Sequence, residues 1–236
     1  MKLGINQPYF FPYLGYFLLI KHCDQFILLD SVQFIKKGWI HRNRILRPGG
    51  DDWQYILVPL KKHKRETLIL DIEIKNEDNW QDLILRQLDH YKKHAPFYDE
   101  TIEFLKEVLE PRFDKIADLN HYLLKRTCNY LGIRSNISIF SKMNLPISQP
   151  HVPDEWALNI CKTVGADQYF NLPGGIGLFD KDKFQKANIS ISFIKTNLCP
   201  YKQIADRFEP SLSILDVMMF NSKCRISEML DDFKLL

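Results

Sequence analysis

Apolar and polar positions alternate along this chain in two distinct periods. Residues 2–6 form a short apolar run closed by Gln7-Pro8, the pattern of a strand, and residues 13–21 place Leu14, Phe17, Leu18 and Lys21 at helical spacing. Residues 25–30, Gln-Phe-Ile-Leu-Leu-Asp, are apolar without alternation and end in an acid, which predicts a strand buried on both faces. Strand, helix and buried strand together open a parallel α/β unit. Two extended runs, 41–46 and 53–59, flank Arg47-Pro48-Gly49-Gly50-Asp51-Asp52 and predict a β-hairpin, and 68–74 reads as a further strand. Helical periodicity takes over at 80–91, 98–109 and 114–131, with Pro96 and Pro111 at the boundaries. Strand character returns at 136–140. A loop with three prolines over 141–153 leads to a helix with Asp154 as its N-cap, ending near Gly165. A strand at 167–171, a helix at 178–187, a strand at 189–194 and two helices at about 211–220 and 224–233 complete the pattern.

The predicted fold is α/β: a Rossmann-like layered sheet, parallel or mixed, with a β-hairpin extension and a central helical insertion over about 77–131, in a single domain spanning 1–236. A composition of 45% hydrophobic and 26% charged residues fits a soluble globular chain. Residues 9–20 are too short to span a bilayer and contain Pro12, and residues 1–8 lack the apolar run of a signal peptide. No membrane span and a cytoplasmic location are therefore expected.

Charge changes the picture most. Lys36, Lys37, Arg42, Arg44 and Arg47 lie close together with Trp39, His41 and Asn43 among them. Residues 33–65 hold nine Lys/Arg against two acids, so 9 − 2 = +7, whereas the whole chain is only +3. A concentrated basic patch carrying an aromatic and an amide suits an anion attached to something planar or polar, such as a nucleotide or sugar phosphate. The plainer reading is a solvated, aggregation-resistant hairpin edge.

Three segments carry candidate chemistry. The turn Asn6-Gln7-Pro8-Tyr9-Phe10-Phe11-Pro12 sits where the first strand hands over to the first helix, a ligand-binding position in open α/β sheets; its amides could read a ligand or simply cap the helix. Asp30, followed by Ser31 and Gln33, ends a buried strand and is a candidate catalytic or ribose-binding acid, or else a turn cap or an ion-pair partner of Arg42 or Arg44. Asn171-Leu172-Pro173-Gly174-Gly175 precedes a helix and could offer backbone N–H groups to an anion, or form a tight turn. His41 is the one histidine favoured for acid–base work. His90 and His94 are spaced i, i+4 without the Glu of a zinc-protease helix, so no metal is predicted, and the cofactor is unassigned. Cys23, Cys128, Cys161, Cys199 and Cys224 are widely spaced, which predicts neither a disulfide framework nor a zinc site; Cys199 and Cys224, with cations nearby, are the better candidates for a reactive thiol.

Read together, these segments resemble the WbqC-like family of bacterial proteins. That family opens on a pattern close to His-Gln-Pro-Asn-Tyr-Leu-Pro-Trp-Leu-Gly, matched here by Asn6-Gln7-Pro8-Tyr9-Phe10-Phe11-Pro12-Tyr13-Leu14-Gly15. Asp30-Ser31-Val32-Gln33-Phe34, Gly38-Trp39-Ile40-His41-Arg42-Asn43-Arg44-Ile45, Gly165-Ala166-Asp167-Gln168-Tyr169 with Pro173-Gly174-Gly175, and Pro210-Ser211-Leu212-Ser213-Ile214-Leu215-Asp216 follow in the family's order. Two departures stand out: Asn6 occupies the position of the family's His, and Gly175-Ile176-Gly177-Leu178 replaces a segment with a polar residue and Tyr.

The resemblance implies a place in O-antigen or other surface-polysaccharide synthesis, with a glycine transferase role suggested for the family. The resulting expectation is a transferase that N-acylates a nucleotide-linked amino sugar. Asp30, His41 and Asn6 are its candidate catalytic residues. Gln7, Gln33, Lys36, Lys37, Trp39, Arg42, Asn43, Arg44, Asn171, Gly174 and Gly175 are its candidate substrate-binding residues. The expected partner is a small anionic nucleotide sugar; nucleic acid, as a tRNA donor, is the less favoured one. Two other classes remain: an ATP-using enzyme resembling nucleotidylyltransferases, without their His-x-Gly-His sequence, and a non-catalytic binder of RNA or of an assembly partner.

Overall fold

A computed structural model describes residues 1–197 and 200–236. The candidate thiol Cys199 lies outside the described residues. The chain runs through β1 (Lys2–Asn6), α1 (Leu14–Lys21), β2 (Gln25–Leu28), the hairpin β3 (Arg42–Leu46) and β4 (Trp53–Leu57), and helices α2 (Trp80–Leu88), α3 (Tyr98–Leu109) and α4 (Ile116–Tyr130). It continues with β5 (Ile137–Ile139), α5 (Pro153–Val164), β6 (Gln168–Asn171), α6 (Lys181–Lys186), β7 (Ser190–Thr196), α7 (Ile214–Phe220), α8 (Lys223–Asp231) and β8 (Phe233–Leu235).

The main sheet has the order β5-β2-β1-β6-β7-β8, parallel throughout except that β8 runs antiparallel to β7. The continuous apolar runs of the sequence are explained by burial on both faces. Phe26, Leu28 and Phe170 face a large apolar cluster that includes α1, α4, α7 and α8, while Leu3, Ile5, Ile27 and Tyr169 face a smaller one built with α5 and α6. The large cluster also takes in the hairpin and α2 and α3. Gly4 lies at the centre, where an added Cβ would meet Cys23 Sγ and Phe26 Cδ2 at 2.8 Å. β1 is therefore the strand on which the chain reverses its direction of sheet growth, towards β2 and β5 on one side and β6 and β7 on the other. Ligands in such sheets bind outside the strand carboxyl ends at this reversal. No helix among the described residues is long and apolar enough to cross a membrane.

Four sequence expectations are corrected. Residues 68–74 are not a strand: Ile69–Asp71 is a 3₁₀ turn, and the flanking residues make isolated bridges to three different segments. Ile69, Ile72 and Ile74 are all buried, a spacing that a strand with one covered face cannot satisfy. Asp154 does not cap α5; Val152 holds that position, Pro153 starts the helix, and Asp154 pairs with Lys183 at 3.2 Å. The segment 173–178 is a 3₁₀ turn, so α6 begins later, capped by Asp180 accepting from the Asp182 N–H. The last helix stops at Asp231, and Phe233–Leu235 adds an edge strand, with Phe233 packed on His22.

Candidate functional site

At the β1–β6 reversal lies a cavity of about 430 Å³. Asn6 and Gln7 reach it from the end of β1, and Asn171, Gly174 and Gly175 from the end of β6. The two asparagines do the same local job. Asn6 Oδ1 accepts the Gln7 N–H at 2.8 Å and Asn171 Oδ1 accepts the Leu172 N–H at 2.7 Å, so each turns the chain sharply as its strand ends. Asn171 Nδ2 donates to Tyr169 Oη at 2.7 Å, whereas Asn6 Nδ2 has no hydrogen-bond partner among the described residues.

Aromatic rings complete the walls: Tyr9 and Tyr13 from the first turn, Trp39 from the basic segment, and Trp156, Tyr169 and Phe179 from the other side. Among the described residues no Asp, Glu, Lys, Arg or His lines this cavity. Burial raises the phenol pKa of Tyr9, pushes that of Tyr13 up to about 12 and holds that of Tyr169 well above the usual range. The phenols therefore stay protonated and act as neutral hydrogen-bonding groups. Aromatic faces with a few convergent amides and hydroxyls suit a neutral, hydroxyl-rich ring better than a bare ion.

The turn carrying Tyr9 and Tyr13 is irregular and fully tied down. Asn120 Nδ2 donates to the Pro8 carbonyl at 2.8 Å, Asn43 Nδ2 to those of Phe10 and Phe11 at 3.0 and 2.9 Å, and Ser213 Oγ to that of Phe11 at 2.8 Å. The Tyr16 hydroxyl donates to Gln7 O, and the Ile214 N–H to Pro12 O. Phe11 is held in the left-handed region at φ 37°, a conformation such a residue keeps only when its surroundings enforce it.

Of the predicted residues, Asn6, Gln7, Trp39, Asn171, Gly174 and Gly175 come together around this cavity. Asp30 does not line it. Asp30 is buried, and its carboxylate accepts from the Ser141 N–H at 3.0 Å and Ser141 Oγ at 2.5 Å, tying the end of β2 to the segment after β5. His41 is also outside. Burial, with Arg42 and His63 beside it, lowers its imidazole pKa to about 4, so it is neutral at physiological pH.

Two of the predicted cations are occupied within the fold. Arg42 donates to Lys37 O at 2.8 Å and Gly38 O at 3.3 Å while lying over the Tyr55 ring at 4.1 Å. Arg44 donates to Ser211 O at 3.2 Å, pairs with Glu209 at 3.6 Å and lies 5.6 Å from the Trp39 ring and 5.2 Å from the Trp53 ring. With Asn43 it lines a side pocket of about 240 Å³ that shares Tyr9, Tyr13 and Trp39 with the main cavity. Lys37 is exposed. Gln33 and Lys36 line a separate, larger groove with Leu60 and the run Lys61-Lys62-His63-Lys64-Arg65.

Sequence reasoning missed Tyr9, Tyr13, Trp156, Tyr169 and Phe179 as cavity residues. It also counted Lys61–Arg65 in the regional charge without singling the run out. The rings at 9 and 13 were detectable beside Asn6 and Gln7, whereas Trp156 is set only by the face α5 turns to the sheet. Burial pushes the thiols of Cys23, Cys128 and Cys161 up to about 12, so none of these is a thiolate. Cys224 is exposed near Glu228, away from the cavity lining. His90 Nε2 donates to Leu46 O at 3.0 Å.

A family model described as "WbqC-like protein family" matches residues 7–228. The "Uncharacterized protein Rv1507c" of Mycobacterium tuberculosis is 30% identical over 226 residues, covering 93% of each chain. No solved structure matches.

Proposed function

Because the chain belongs to the WbqC-like protein family, we propose that it is a transferase of surface-polysaccharide synthesis that N-acylates, with a glycyl or similar group, an amino sugar carried on a nucleotide. The observation that carries this reading is an uncharged cavity lined by aromatic rings and amides at the strand reversal, opening beside a strongly basic groove. The sugar ring stacks on Trp39 and exchanges hydrogen bonds with Asn6, Gln7 and Asn171. The backbone at Gly174 and Gly175 lets the ligand approach closely.

The chemistry asked of the protein is modest. The neutral amine of the sugar attacks the acyl carbonyl, a C–N bond forms, the bond to the donor's leaving oxygen or sulfur breaks, and the proton passes to that leaving group. With no carboxylate or imidazole lining the cavity, the rate enhancement comes from positioning the two reactants and from hydrogen bonds to the carbonyl oxygen as it gains charge. Asp30 acts through Ser141, as a positioning residue, and His41 as a neutral packing group.

A thermal-shift screen against UDP- and dTDP-linked amino sugars, ATP and bulk tRNA tests the reading. A ligand at about a hundredfold its dissociation constant adds about 2.7 kcal/mol of stability. The expected result is a shift with a nucleotide amino sugar that Trp39→Ala removes. A shift with ATP or tRNA, and none with any nucleotide sugar, overturns it.

A further inference from the structure

We propose that the groove between residues 33–36 and 60–65 is a diphosphate-binding site, holding the charged linkage of a ligand whose neutral end fills the aromatic cavity. Lys36, Lys61, Lys62, Lys64 and Arg65 line this groove together with His63, and among the described residues no acid lines it. Among the described residues only Lys61 of these five cations has an ion-pair partner, Glu73 at 3.1 Å. The remaining four line a concave space and have no ion-pair partner among the described residues. Surface cations normally scatter among acids; uncompensated ones in a concavity raise the local concentration of anions.

The groove is already built. Phe34, only 5% exposed, and Leu60 give it an apolar floor, against which each charge is felt more strongly than in open water. Its walls are joined by Gln33 Nε2 donating to Arg65 O at 2.8 Å and by the Phe34 N–H donating to Thr67 O at 2.9 Å. His63 Nδ1 lies 2.9 Å from Lys61 O, and its ring meets Phe34 edge-on. An anion entering here finds its lysines presented by a fixed loop.

Ile35 connects the two sites, because it lines both the groove and the cavity. The groove, at about 890 Å³, has room for a diphosphate and the group attached to it, while the cavity of about 430 Å³ takes a single ring system. The residues first expected to hold the phosphates, Arg42 and Arg44, are engaged by backbone carbonyls and aromatic rings, which leaves this loop as the place where positive charge is least opposed. The inference rests on the proposed function only for the identity of the neutral end. A sugar diphosphate of either a nucleoside or a polyprenol presents the same linkage.

Calorimetric titration of the full chain with inorganic pyrophosphate, UDP and geranyl diphosphate tests the site. Lys62→Glu with Lys64→Glu reverses two exposed charges, and Lys92→Glu with Lys93→Glu serves as a control of equal net charge. Pyrophosphate is expected to bind, to weaken as salt rises from about 50 to about 200 mM, and to lose at least about tenfold in affinity in the groove variant only. Equal losses in both variants, or none in either, overturn the site. Tighter binding of UDP than of geranyl diphosphate assigns a nucleoside, and the reverse assigns a polyprenol. Loss of pyrophosphate affinity in the groove variant without binding of any amino sugar keeps the groove and removes the proposed function. An amino sugar that binds equally well to the groove variant does the opposite.

Discussion

Asn43 and Phe11 lie far apart in sequence, yet Asn43 Nδ2 donates to Phe11 O at 2.9 Å and, from the same amide, to Phe10 O at 3.0 Å. Asn43 is 3% exposed and stands on β3, so the hairpin rather than the sheet holds the left-handed turn that sets Tyr9 and Tyr13 against the cavity. Asn43, which reads in sequence as a polar member of a basic ligand patch, also bolts the turn while lining the side pocket.

Removing that bolt should cost more than a surface polar contact. Asn43→Ala leaves Phe10 O without this donor, at about 1–3 kcal/mol for an unsatisfied buried group, and takes one of two donors from Phe11 O, which keeps Ser213 Oγ. We expect about 2–4 kcal/mol of destabilisation by urea unfolding, together with loss of any ligand-induced thermal shift under conditions where the variant is still folded. A stability change within about 0.5 kcal/mol, the range of an ordinary surface substitution, contradicts this role.

Asp30→Asn separates a structural from a catalytic carboxylate. An asparagine can still accept the Ser141 N–H and can donate to Ser141 Oγ, so the tie between β2 and the segment after β5 survives. The variant should fold, bind its ligand within about threefold of the parent and keep the shape of its pH–rate profile. A general base at this position would instead lose about two to four orders of magnitude in kcat.

Asp216 supplies a pH signature of stability. Its carboxylate is fully buried and accepts from Tyr201 Oη and Tyr91 Oη, each at 2.7 Å, and from Gln203 Nε2 at 3.1 Å. Burial outweighs these donors and raises its pKa to about 6. The unfolded value is about 3.9, so the folded chain binds the proton more tightly than the unfolded one. The group's stabilising contribution is greatest below about pH 4 and is lost as pH rises through about 6, a change on the order of 3 kcal/mol. Asp216→Asn should remove this slope, so the difference between parent and variant in urea unfolding should grow across that window. Parallel curves would show that Asp216 is not the group.

Gly174 and Gly175 should behave differently. A Cβ on Gly175 would lie 2.9 Å from Phe179 Cε2 and 3.3 Å from Asn171 Nδ2, whereas one on Gly174 meets nothing within 4 Å. Gly175→Ala must shift two groups of the cavity wall and should weaken sugar-ligand binding by about tenfold, the scale of one misplaced contact. Gly174→Ala should be near neutral in the same titration.

The sheet was legible because its strands are covered on both faces, and runs such as Phe26-Ile27-Leu28 leave no other economical reading. The 68–74 segment was not, because its backbone bonds are shared among three distant partners that no local pattern reveals. Asn6, Gln7, Asn171 and the glycines were legible through turn chemistry at strand ends. Arg42 and Arg44 were legible as cations but not in their surroundings: a sequence does not show that a carbonyl such as Ser211 O, more than 160 positions away, takes one of the Arg44 donors while its buried Nε stays unpartnered. The apolar period of α5 announces a buried face without saying that Trp156 looks into a cavity.

The turn after β1 also imposes an order on synthesis. Its carbonyls wait for Asn43, then Asn120, then Ser213, the last bond closing across 202 positions of sequence. A nascent chain can emerge with its first strand, first helix and hairpin in place and still have no finished pocket, because the wall formed by its first dozen residues is latched by a hydroxyl translated near the other end. Translation halted before that serine therefore yields a fragment that carries the pocket's aromatic rings but lacks the last latch on its first turn.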